Sequence, residues 1–252
     1  MALPTPYRAL VILEFALAVP TLLSLTFVPA PYGRHARGGW GPSVPARLGW
    51  VVMECPASLF FAAVYFSGPR WADPVPLVLF ALWQIHYVYR AFLFPLQIRE
   101  DQRRMPALVM LLAFSFNLLN GWINARWISD LGAYPSAWFA DPRFLVGSAI
   151  FLGGFALNVI SDRTLRRLRA PGETAYRIPR GGAFEWVSCP NYLGEIVEWS
   201  GWALASWSLA GLAFAVYTAA NLAPRAFSHH AWYRERFGDY PAERKALVPF
   251  LF

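Results

Sequence analysis

The chain has 252 residues and a net charge of +7, and its composition is that of a membrane protein. Hydrophobic residues make up 57% of the chain and charged residues only 15%, whereas a soluble domain carries about a quarter charged residues. No CxxC, HExxH or EF-hand pattern is present, so metal binding has no motif to support it. We therefore expect no metal ion as ligand. Membrane topology accounts for the basic residues, so we do not expect a nucleic acid as ligand either.

Apolar runs predict an all-α integral membrane protein with seven transmembrane helices. Five runs reach the roughly 20 residues that a bilayer crossing requires, at about 8–29, 47–67, 74–98, 105–128 and 143–161. The apolar stretch from Asn191 to about Ala226 is too long for one crossing and predicts two, with a turn near Gly211. The first run is long and contains Glu14 and two prolines, so we interpret it as a helix rather than a cleavable signal peptide.

The distribution of basic residues predicts the orientation of the chain. Arginine and lysine concentrate on the cytoplasmic side of membrane proteins, and here the odd-numbered loops and the C-terminal tail hold 17 of the 22 basic residues. These are Arg34, Arg37, Arg47, Arg99, Arg103, Arg104, Arg163, Arg166, Arg167, Arg169, Arg177, Arg180, Arg225, Arg234, Arg236, Arg244 and Lys245. The N-terminus is therefore predicted outside and the C-terminus in the cytoplasm. The near absence of lysine suggests a GC-rich bacterial gene, hence a bacterial inner membrane, or the endoplasmic reticulum in a eukaryotic host.

Polar residues inside the second and third spans predict a site that polarises a buried carbonyl. A charged side chain at membrane depth costs about 2.5–3.5 kcal/mol on insertion and indicates a functional site by default. Glu54 lies in the apolar stretch "VVMECPASLFF", where a carboxyl can stay protonated and donate a hydrogen bond. In "WQIHYVYRAF", His86, Tyr87 and Arg90 share one helix face. Two neutral donors, Glu54 and Tyr87, are what such a carbonyl requires; the alternative is an ion pair that only stabilises the bundle.

Three polar clusters in the C-terminal half predict a binding site for an anionic ligand that also forms hydrogen bonds. They lie at the end of the fifth span and its loop, at the start of the sixth span, and after the seventh. Gly194 in the second cluster is expected to let a flat group approach the helix backbone. The clusters comprise Asn158, Asp162, Arg166, Arg169, Tyr176, Arg177 and Arg180; Asn191, Gly194, Glu195 and Glu198; and Arg225, His229, His230 and Tyr233.

Long stretches of the chain resemble the steroid 5α-reductase family. The resemblance is carried by "NVISDRTLRRLRAPGE" and by the segment from "YRIPRGGAFEWVSCPNYLGEIVEWSGWAL" to "RFGDYPAERKALVPFLF", and the N-terminal motifs "MECPA" and "HYVYRAFLFPL" are also similar to that family. It implies a seven-helix membrane reductase that uses NADPH to reduce the Δ4 double bond of a 3-oxo-steroid to the 5α product. It also implies a substrate side in residues 1–135 and a cofactor side in residues 136–252.

The resemblance implies roles for individual residues. Glu54 and Tyr87 match the pair that polarises the C3 carbonyl while hydride is transferred to C5, and His86 and Arg90 are expected to line the substrate pocket. Because no GxGxxG motif follows a strand, the cofactor is not expected on a Rossmann fold; arginines would neutralise its phosphates instead. The expected NADPH contacts are Asn158, Asp162, Arg166, Arg169, Tyr176, Arg177, Asn191, Gly194, Glu195, Glu198, Arg225, His229, Tyr233 and Arg244.

Three alternative functions remain open at the level of the sequence. A membrane reductase of enoyl thioesters or polyprenals would share the cofactor half. A membrane methyltransferase of the isoprenylcysteine type has a similar C-terminal organisation but uses S-adenosylmethionine, and the arginine-rich loop favours a phosphate-bearing ligand over it. A non-catalytic scaffold or transporter is disfavoured because no polar path crosses the predicted bundle. The expected partners are a steroid substrate and membrane lipids, with no obligate protein partner.

Overall fold

The computed structural model describes residues 4–98, 104–168 and 175–251, which form a mostly helical bundle. Within these ranges we number seven long helices in chain order, and the first five are long and apolar enough to cross a membrane. This confirms a multi-span helical protein, while the count of seven crossings and the orientation stay predictions. The helices are α1 (Thr5–Phe27), α2 (Ala46–Phe66), α3 (Pro74–Leu96), α4 (Ala107–Leu131), α5 (Pro142–Arg167), α6 (Pro190–Ser206) and α7 (Leu209–Arg236).

A short antiparallel ribbon ties the segment before α2 to the start of α4. Its strands are β1 (Ser43–Pro45) and β2 (Arg104–Pro106), with Val44 opposite Met105. Single 3₁₀ turns occupy Gly33–His35, Ser136–Ala140 and Gly182–Glu185. The ribbon fixes the end of the long loop that follows α1, and this loop contributes to the candidate site described below.

Three of the spanning helices contain a wider π-helical turn. These turns lie at Pro56–Phe60 in α2, Tyr89–Leu93 in α3 and Trp127–Leu131 in α4. The first begins two residues after Glu54 and the second includes Arg90. Proline has no N–H to donate, so Pro56 favours such a break in the regular ladder, and π turns are frequent at functional sites.

Helices α5 and α6 pack backbone against backbone along glycines. A Cβ at Gly154 would lie 2.4 Å from the main-chain nitrogen of Glu198, and one at Gly194 would lie 2.6 Å from that of Asn158. Only a residue without a Cβ allows this approach, which places the polar faces of the two helices side by side. The glycines of this contact are Gly147, Gly154, Gly194 and Gly201.

Two predictions about glycines are wrong. Gly194 does not leave room for a ligand, because the backbone of α5 fills the space beside it. The break between the two helices falls within the predicted stretch "SWSLAGLA", but at Trp207, which has a φ of 44° between α6 and α7, and not at Gly211. Gly211 belongs to the first turn of α7, where its N–H donates to Ser208 Oγ over 2.8 Å, because a serine hydroxyl caps a helix N-terminus well.

An aromatic core joins α3, α6 and α7. Trp83 lies with its ring centroid 5.2 Å from those of Trp199 and Trp202 and 5.7 Å from that of Phe214. The indole N–H of Trp83 donates to the carbonyl of Ala57 over 2.6 Å, so burial leaves it hydrogen-bonded, as a buried indole requires. The core thereby holds the following turns of α3, with their polar face, at the centre of the bundle.

Candidate active site

Two adjoining cavities lie between the helices. The apolar cavity, of about 360 Å³, is enclosed by residues of α1, α2, α3, α4, α6 and α7, including Glu54, Tyr87 and Phe116. The polar cavity, of about 240 Å³, lies between the loop after α1 and the ends of α3, α5, α6 and α7, and includes Arg34 and His229. The two cavities meet, because five residues line both: Ala30, Tyr32, Trp50, Arg90 and Arg225.

One wall of the apolar cavity presents two hydrogen-bonding groups that lack protein partners. Glu54 and Tyr87, the predicted polarising pair, line this cavity together with His86, a predicted pocket residue, and their roles stay predictions. Asn117 Nδ2 donates to Glu54 Oε2 over 3.2 Å. Within the described ranges, neither Glu54 Oε1 nor the Tyr87 hydroxyl has a hydrogen-bond partner. Both groups are therefore available to a ligand in the cavity.

Arg90 lies at the junction of the two cavities and joins a network of charged and amide side chains. Its Nη1 lies 3.4 Å from Asp162 Oδ2 and its Nη2 lies 3.8 Å from Glu195 Oε2. Asn191 Nδ2 donates to Asp162 Oδ1 over 3.1 Å, and Asn158 Nδ2 donates to the carbonyl oxygen of Asn191 over 2.9 Å. These contacts reduce the cost of placing Arg90 in a membrane span and fix α3, α5 and α6 relative to one another.

Glu198 does not occupy the place expected from the sequence. It is fully buried and lines neither cavity, and its Oε1 lies 2.9 Å from His86 Nδ1. The expectation of a direct cofactor contact is thus corrected: Glu198 orients the His86 ring from behind the cavity wall. Glu195 and Glu198 thus contact different partners, Arg90 and His86 respectively, although helical spacing places both on one face of α6.

The polar cavity collects several of the predicted cofactor residues. Arg225 Nη2 donates to the Tyr192 hydroxyl over 3.1 Å, and that hydroxyl also lies 3.1 Å from His229 Nε2. Arg225 Nε is buried without a partner among the described residues. An unpaired buried guanidinium nitrogen suits an anionic ligand. The predicted residues that line this cavity are Asp162, Tyr176, Asn191, Arg225 and His229.

The loop after α1 supplies functional candidates that sequence reasoning missed. Tyr32, Arg34 and His35 all line the polar cavity. The guanidinium carbon of Arg34 lies 4.6 Å from the ring centroid of Tyr233, and its Nη1 is buried without a partner within the described residues. In the sequence these residues counted only as part of a basic cytoplasmic loop. The sequence signal that could have identified them is the short segment "PYGRH", which follows directly after an apolar span.

His35 connects this loop to α7. Its Nε2 lies 3.1 Å from His229 Nδ1, and the two rings stack in parallel with centroids 5.1 Å apart. Burial, together with the positive charges of Arg34, Arg37 and Arg225, lowers the pKa of His35. When both rings are neutral, one ring donates its N–H to the other without charge repulsion. The contact is therefore most stable at neutral or alkaline pH.

Other predicted cofactor residues lie behind or away from the cavities. Asn158 and Tyr233 are buried behind Asn191 and Arg34, respectively. Arg244 is also buried, and its Nη1 donates to the carbonyl of Pro179 over 3.1 Å. None of the three lines either cavity. These residues support the cavity walls from the second layer of packing.

Two of the predicted arginines, Arg166 and Arg177, do not line the polar cavity. Arg166 faces a separate surface groove, and its Nη2 lies 3.4 Å from the hydroxyl of Tyr89. Arg177 is solvent-exposed. Arg169 lies outside the described residues, so its predicted role stays a prediction. Among the described residues, the arginines that line the polar cavity are Arg34, Arg90 and Arg225, and Arg166 and Arg177 do not line it.

Comparison with known proteins shows similarity along nearly the whole chain. A sequence profile of the family described as 3-oxo-5-alpha-steroid 4-dehydrogenase matches residues 103–252. The chain is 46% identical over 250 residues to 3-oxo-5-alpha-steroid 4-dehydrogenase 1 of Bos taurus, covering 96% of each protein. Identity is 44% over 246 residues to Steroid 5-alpha-reductase DET2 of Gossypium hirsutum, covering 94% of each. It is 44% over 223 residues to the Homo sapiens 3-oxo-5-alpha-steroid 4-dehydrogenase 1, covering 88% of this chain and 86% of that relative.

Proposed function

The chain belongs to the 3-oxo-5-alpha-steroid 4-dehydrogenase family, and from that premise we propose that it reduces the Δ4 double bond of a 3-oxo-steroid to the 5α product with NADPH. The reaction is an oxidation–reduction at a carbon–carbon bond. The observation that carries the proposal is that the wall of an apolar cavity contains two hydrogen-bonding groups without a partner among the described residues, Glu54 Oε1 and the Tyr87 hydroxyl. That cavity opens into a polar one lined by arginines.

The apolar cavity suits a rigid, mostly hydrocarbon substrate with one ketone. Its volume of about 360 Å³ lies in the range of small-molecule sites, about 300–1,000 Å³. Negative charge develops on the C3 oxygen during reduction, and donors aimed at that oxygen stabilise it by about 3 kcal/mol each in comparable sites. Glu54, protonated on Oε1, and Tyr87 would supply these two donors.

The polar cavity fits the phosphate-bearing part of NADPH. Arg34 Nη1 and Arg225 Nε are buried without protein partners within the described residues, and such nitrogens are completed by phosphate oxygens. Tyr32 and Trp50, which line both cavities, would contact the part of the ligand that passes between them. When bound, NADPH supplies the hydride that adds to C5. Asn191 and Glu195, held by the Arg90 network, would hydrogen-bond its nicotinamide riboside end.

We assign seven membrane crossings to the helices, with the N-terminus outside and the C-terminus in the cytoplasm. Helices α6 and α7 would add two crossings to the five candidate spans that length and composition indicate. A bacterial inner membrane is the proposed location, on the arginine-rich composition. The proposed division into substrate residues 1–135 and cofactor residues 136–252 needs one amendment: the loop that contains Arg34 and His35 contributes to the cofactor side.

A direct assay tests the function. The detergent-purified protein is incubated with NADPH or NADH and with testosterone, progesterone or a trans-enoyl thioester, and the products are identified by mass and stereochemistry. We expect 5α-dihydrosteroids with NADPH. Reduction of the thioester alone would contradict the substrate class and would remove the roles proposed for Glu54 and Tyr87.

A pair of loop arginines tests the cofactor site. Arg34 lines the polar cavity, whereas Arg37, three residues later, is exposed and donates to the carbonyl of Pro29. Arg34→Leu should raise the NADPH dissociation constant about tenfold or more, since charged hydrogen bonds contribute about 1.5–3 kcal/mol. Arg37→Leu should leave this constant within about twofold, because exposed ionic groups contribute little. Equal effects of the two substitutions would show that only the overall charge of the loop matters.

A further inference from the structure

A surface groove lies between the ends of α3 and α5. It is lined by Gln97, which directly follows the last residue of α3, and by Arg163, Arg166 and Arg167 of α5, and its volume is about 420 Å³. None of these four residues lines the apolar or the polar cavity. The groove is therefore separate from the candidate active site.

The lining of the groove is positively charged. Arg163 and Arg167 are exposed and lie four residues apart on α5, a spacing at which like charges repel. Within the described ranges none of the three groove arginines forms an ion pair. Arg166 Nη1 is buried and has no hydrogen-bond partner there. A phosphate group in the groove would remove the repulsion, and guanidinium groups suit phosphate.

An exposed apolar surface adjoins the arginines on the side of the membrane spans. On α3, Leu93 precedes Gln97 by four residues, and on α5, Ile160 precedes Arg163 by three, so each pair shares a helix face. The side chain of Leu93 is 49% exposed, that of Leu96 68% and that of Ile160 61%. The apolar surface and the charged groove thus form one continuous strip, with the charges at the helix ends.

The ring of Phe94 marks the boundary between this groove and the polar cavity. Phe94 lines the polar cavity, and its ring centroid lies 4.8 Å from the guanidinium carbon of Arg90 and 5.7 Å from that of Arg166. Arg166 Nη2 also lies 3.4 Å from the hydroxyl of Tyr89. These aromatic contacts direct Arg90 to the cavity and Arg166 to the groove, so two anionic groups of different molecules can be bound on the two sides.

We propose that the groove binds the phosphate of an anionic phospholipid whose acyl chains lie along Leu93, Leu96 and Ile160. The inference goes beyond the proposed reaction and depends only on the placement of α3 and α5 in a membrane. In the proposed orientation both helix ends face the cytoplasm, and anionic lipids of the cytoplasmic leaflet attract basic residues there. A zwitterionic lipid binds less tightly, because its ammonium group is repelled by the arginines. The bound lipid bridges α3 and α5 and so stabilises the folded protein.

Lipid binding is measured on the full-length protein in detergent. Phosphatidylglycerol and phosphatidylcholine with identical acyl chains are titrated separately, bound lipid is counted by native mass spectrometry, and thermal unfolding is followed at each concentration. Inorganic phosphate is titrated in the same way, as an anion without acyl chains. We expect phosphatidylglycerol to bind about tenfold more tightly than phosphatidylcholine and to raise the unfolding temperature. Inorganic phosphate should leave the unfolding temperature unchanged.

Three double variants locate the binding site. Arg163→Gln with Arg167→Gln removes charge from the groove, whereas Arg234→Gln with Arg236→Gln removes the same charge from exposed positions in the last turn of α7, outside the groove. The groove variant should reduce the preference for phosphatidylglycerol to within about threefold, and the α7 variant should keep it. Arg163→Lys with Arg167→Lys retains the charge and should keep most of the preference. The NADPH dissociation constant should stay within about twofold of the wild-type value in all three.

Other results would overturn the inference. Equal losses of preference in the two glutamine variants would show that the overall charge of the protein attracts the lipid, and an undiminished preference in the groove variant would exclude the groove. Stabilisation by inorganic phosphate to the same extent as by phosphatidylglycerol would assign the groove to a free anion. A higher NADPH dissociation constant in the groove variant, with unchanged lipid preference, would assign it to the cofactor.

Discussion

The side-chain amide of Asn117 donates two hydrogen bonds, one to Glu54 Oε2 over 3.2 Å and one to the main-chain carbonyl of Met53 over 2.7 Å. The second bond fixes the amide against the backbone of α2, so the first orients the carboxyl of Glu54. In a protonated carboxyl the carbonyl oxygen is the better acceptor, so the bond from Asn117 to Oε2 favours Oε1 as the oxygen that carries the proton. The proposed mechanism requires that arrangement, with Oε1 donating to a ligand in the apolar cavity.

Loss of this orienting contact should slow the reaction without affecting NADPH binding. We expect Asn117→Leu to lower kcat about tenfold, which corresponds to about 1.4 kcal/mol in the barrier. Asn117→Gln should fall between this variant and the wild type. Steady-state kinetics measure kcat and the NADPH KM. An unchanged kcat in Asn117→Leu would show that the hydrogen bond from Asn117 is not needed to orient Glu54.

Substitution of the two donors should have unequal effects. Tyr87→Phe removes a donor and should reduce kcat about 10²–10³-fold, the usual loss for one such group. Glu54→Gln replaces a neutral acid with an amide that still donates, so it should keep part of the activity, whereas Glu54→Leu should lose it. Turnover at the wild-type rate in both Tyr87→Phe and Glu54→Leu would contradict the mechanism.

The contact between His35 and His229 should make NADPH binding sensitive to acid. The pKa of His35 is lowered from 6.5 by burial and by nearby arginines, so the undocked loop binds a proton more readily than the docked loop. The docked loop is thus most stable above pH 6.5 and loses stability as pH falls through the lowered pKa. We expect the NADPH KM to rise by about threefold or more between pH 7.5 and 5.5.

A histidine variant isolates this effect. His35→Gln keeps a hydrogen-bonding side chain but does not titrate, so its NADPH KM should vary less over the same pH range. The measurement is a pH series of KM for the wild type and the variant. Identical pH profiles would mean that other groups cause the acid sensitivity.

Neighbouring glycines in α5 should respond in opposite ways to alanine. A Cβ at Gly154 would approach the backbone of α6 within 2.4 Å, whereas one at Gly153 would meet nothing within 4 Å. Gly154→Ala should therefore destabilise the protein by about 1–3 kcal/mol. Gly153→Ala should be neutral or stabilise it by up to about 1 kcal/mol through helix propensity. Thermal unfolding in detergent measures both, and equal shifts would contradict the close packing of α5 against α6.

Glu14 is a buried carboxyl without a task in the proposed mechanism. It is fully buried in α1, and neither of its oxygens has a hydrogen-bond partner within the described residues. Glu14→Leu should raise stability by about 1–3 kcal/mol because it removes an unsatisfied polar group, whereas Glu14→Gln keeps one and should change little. A folded Glu14→Leu protein without steroid turnover would show that this carboxyl takes part in the reaction.

The sequence by itself determined the helical class of the fold and supplied the residues from which the chemistry of the site is proposed. The apolar runs predict five helices long enough to span a membrane because bilayer thickness fixes the length of a crossing, and Glu54 and Tyr87 stand out because polar groups are costly at membrane depth. Helical spacing also placed Asn191 and Glu195 on one face. These inferences depend on local periodicity, which is visible without knowledge of distant contacts.

Only the tertiary structure decided which of the polar residues share a cavity. Periodicity placed Gly194 and Glu198 on the same face as Glu195, but packing directs Gly194 against α5 and Glu198 against His86. The contribution of Arg34 and His35 depends on a loop that folds back across the ends of distant helices. Nothing in the local sequence specifies such long-range contacts, because they depend on how the helices pack and not on the pattern within any one of them.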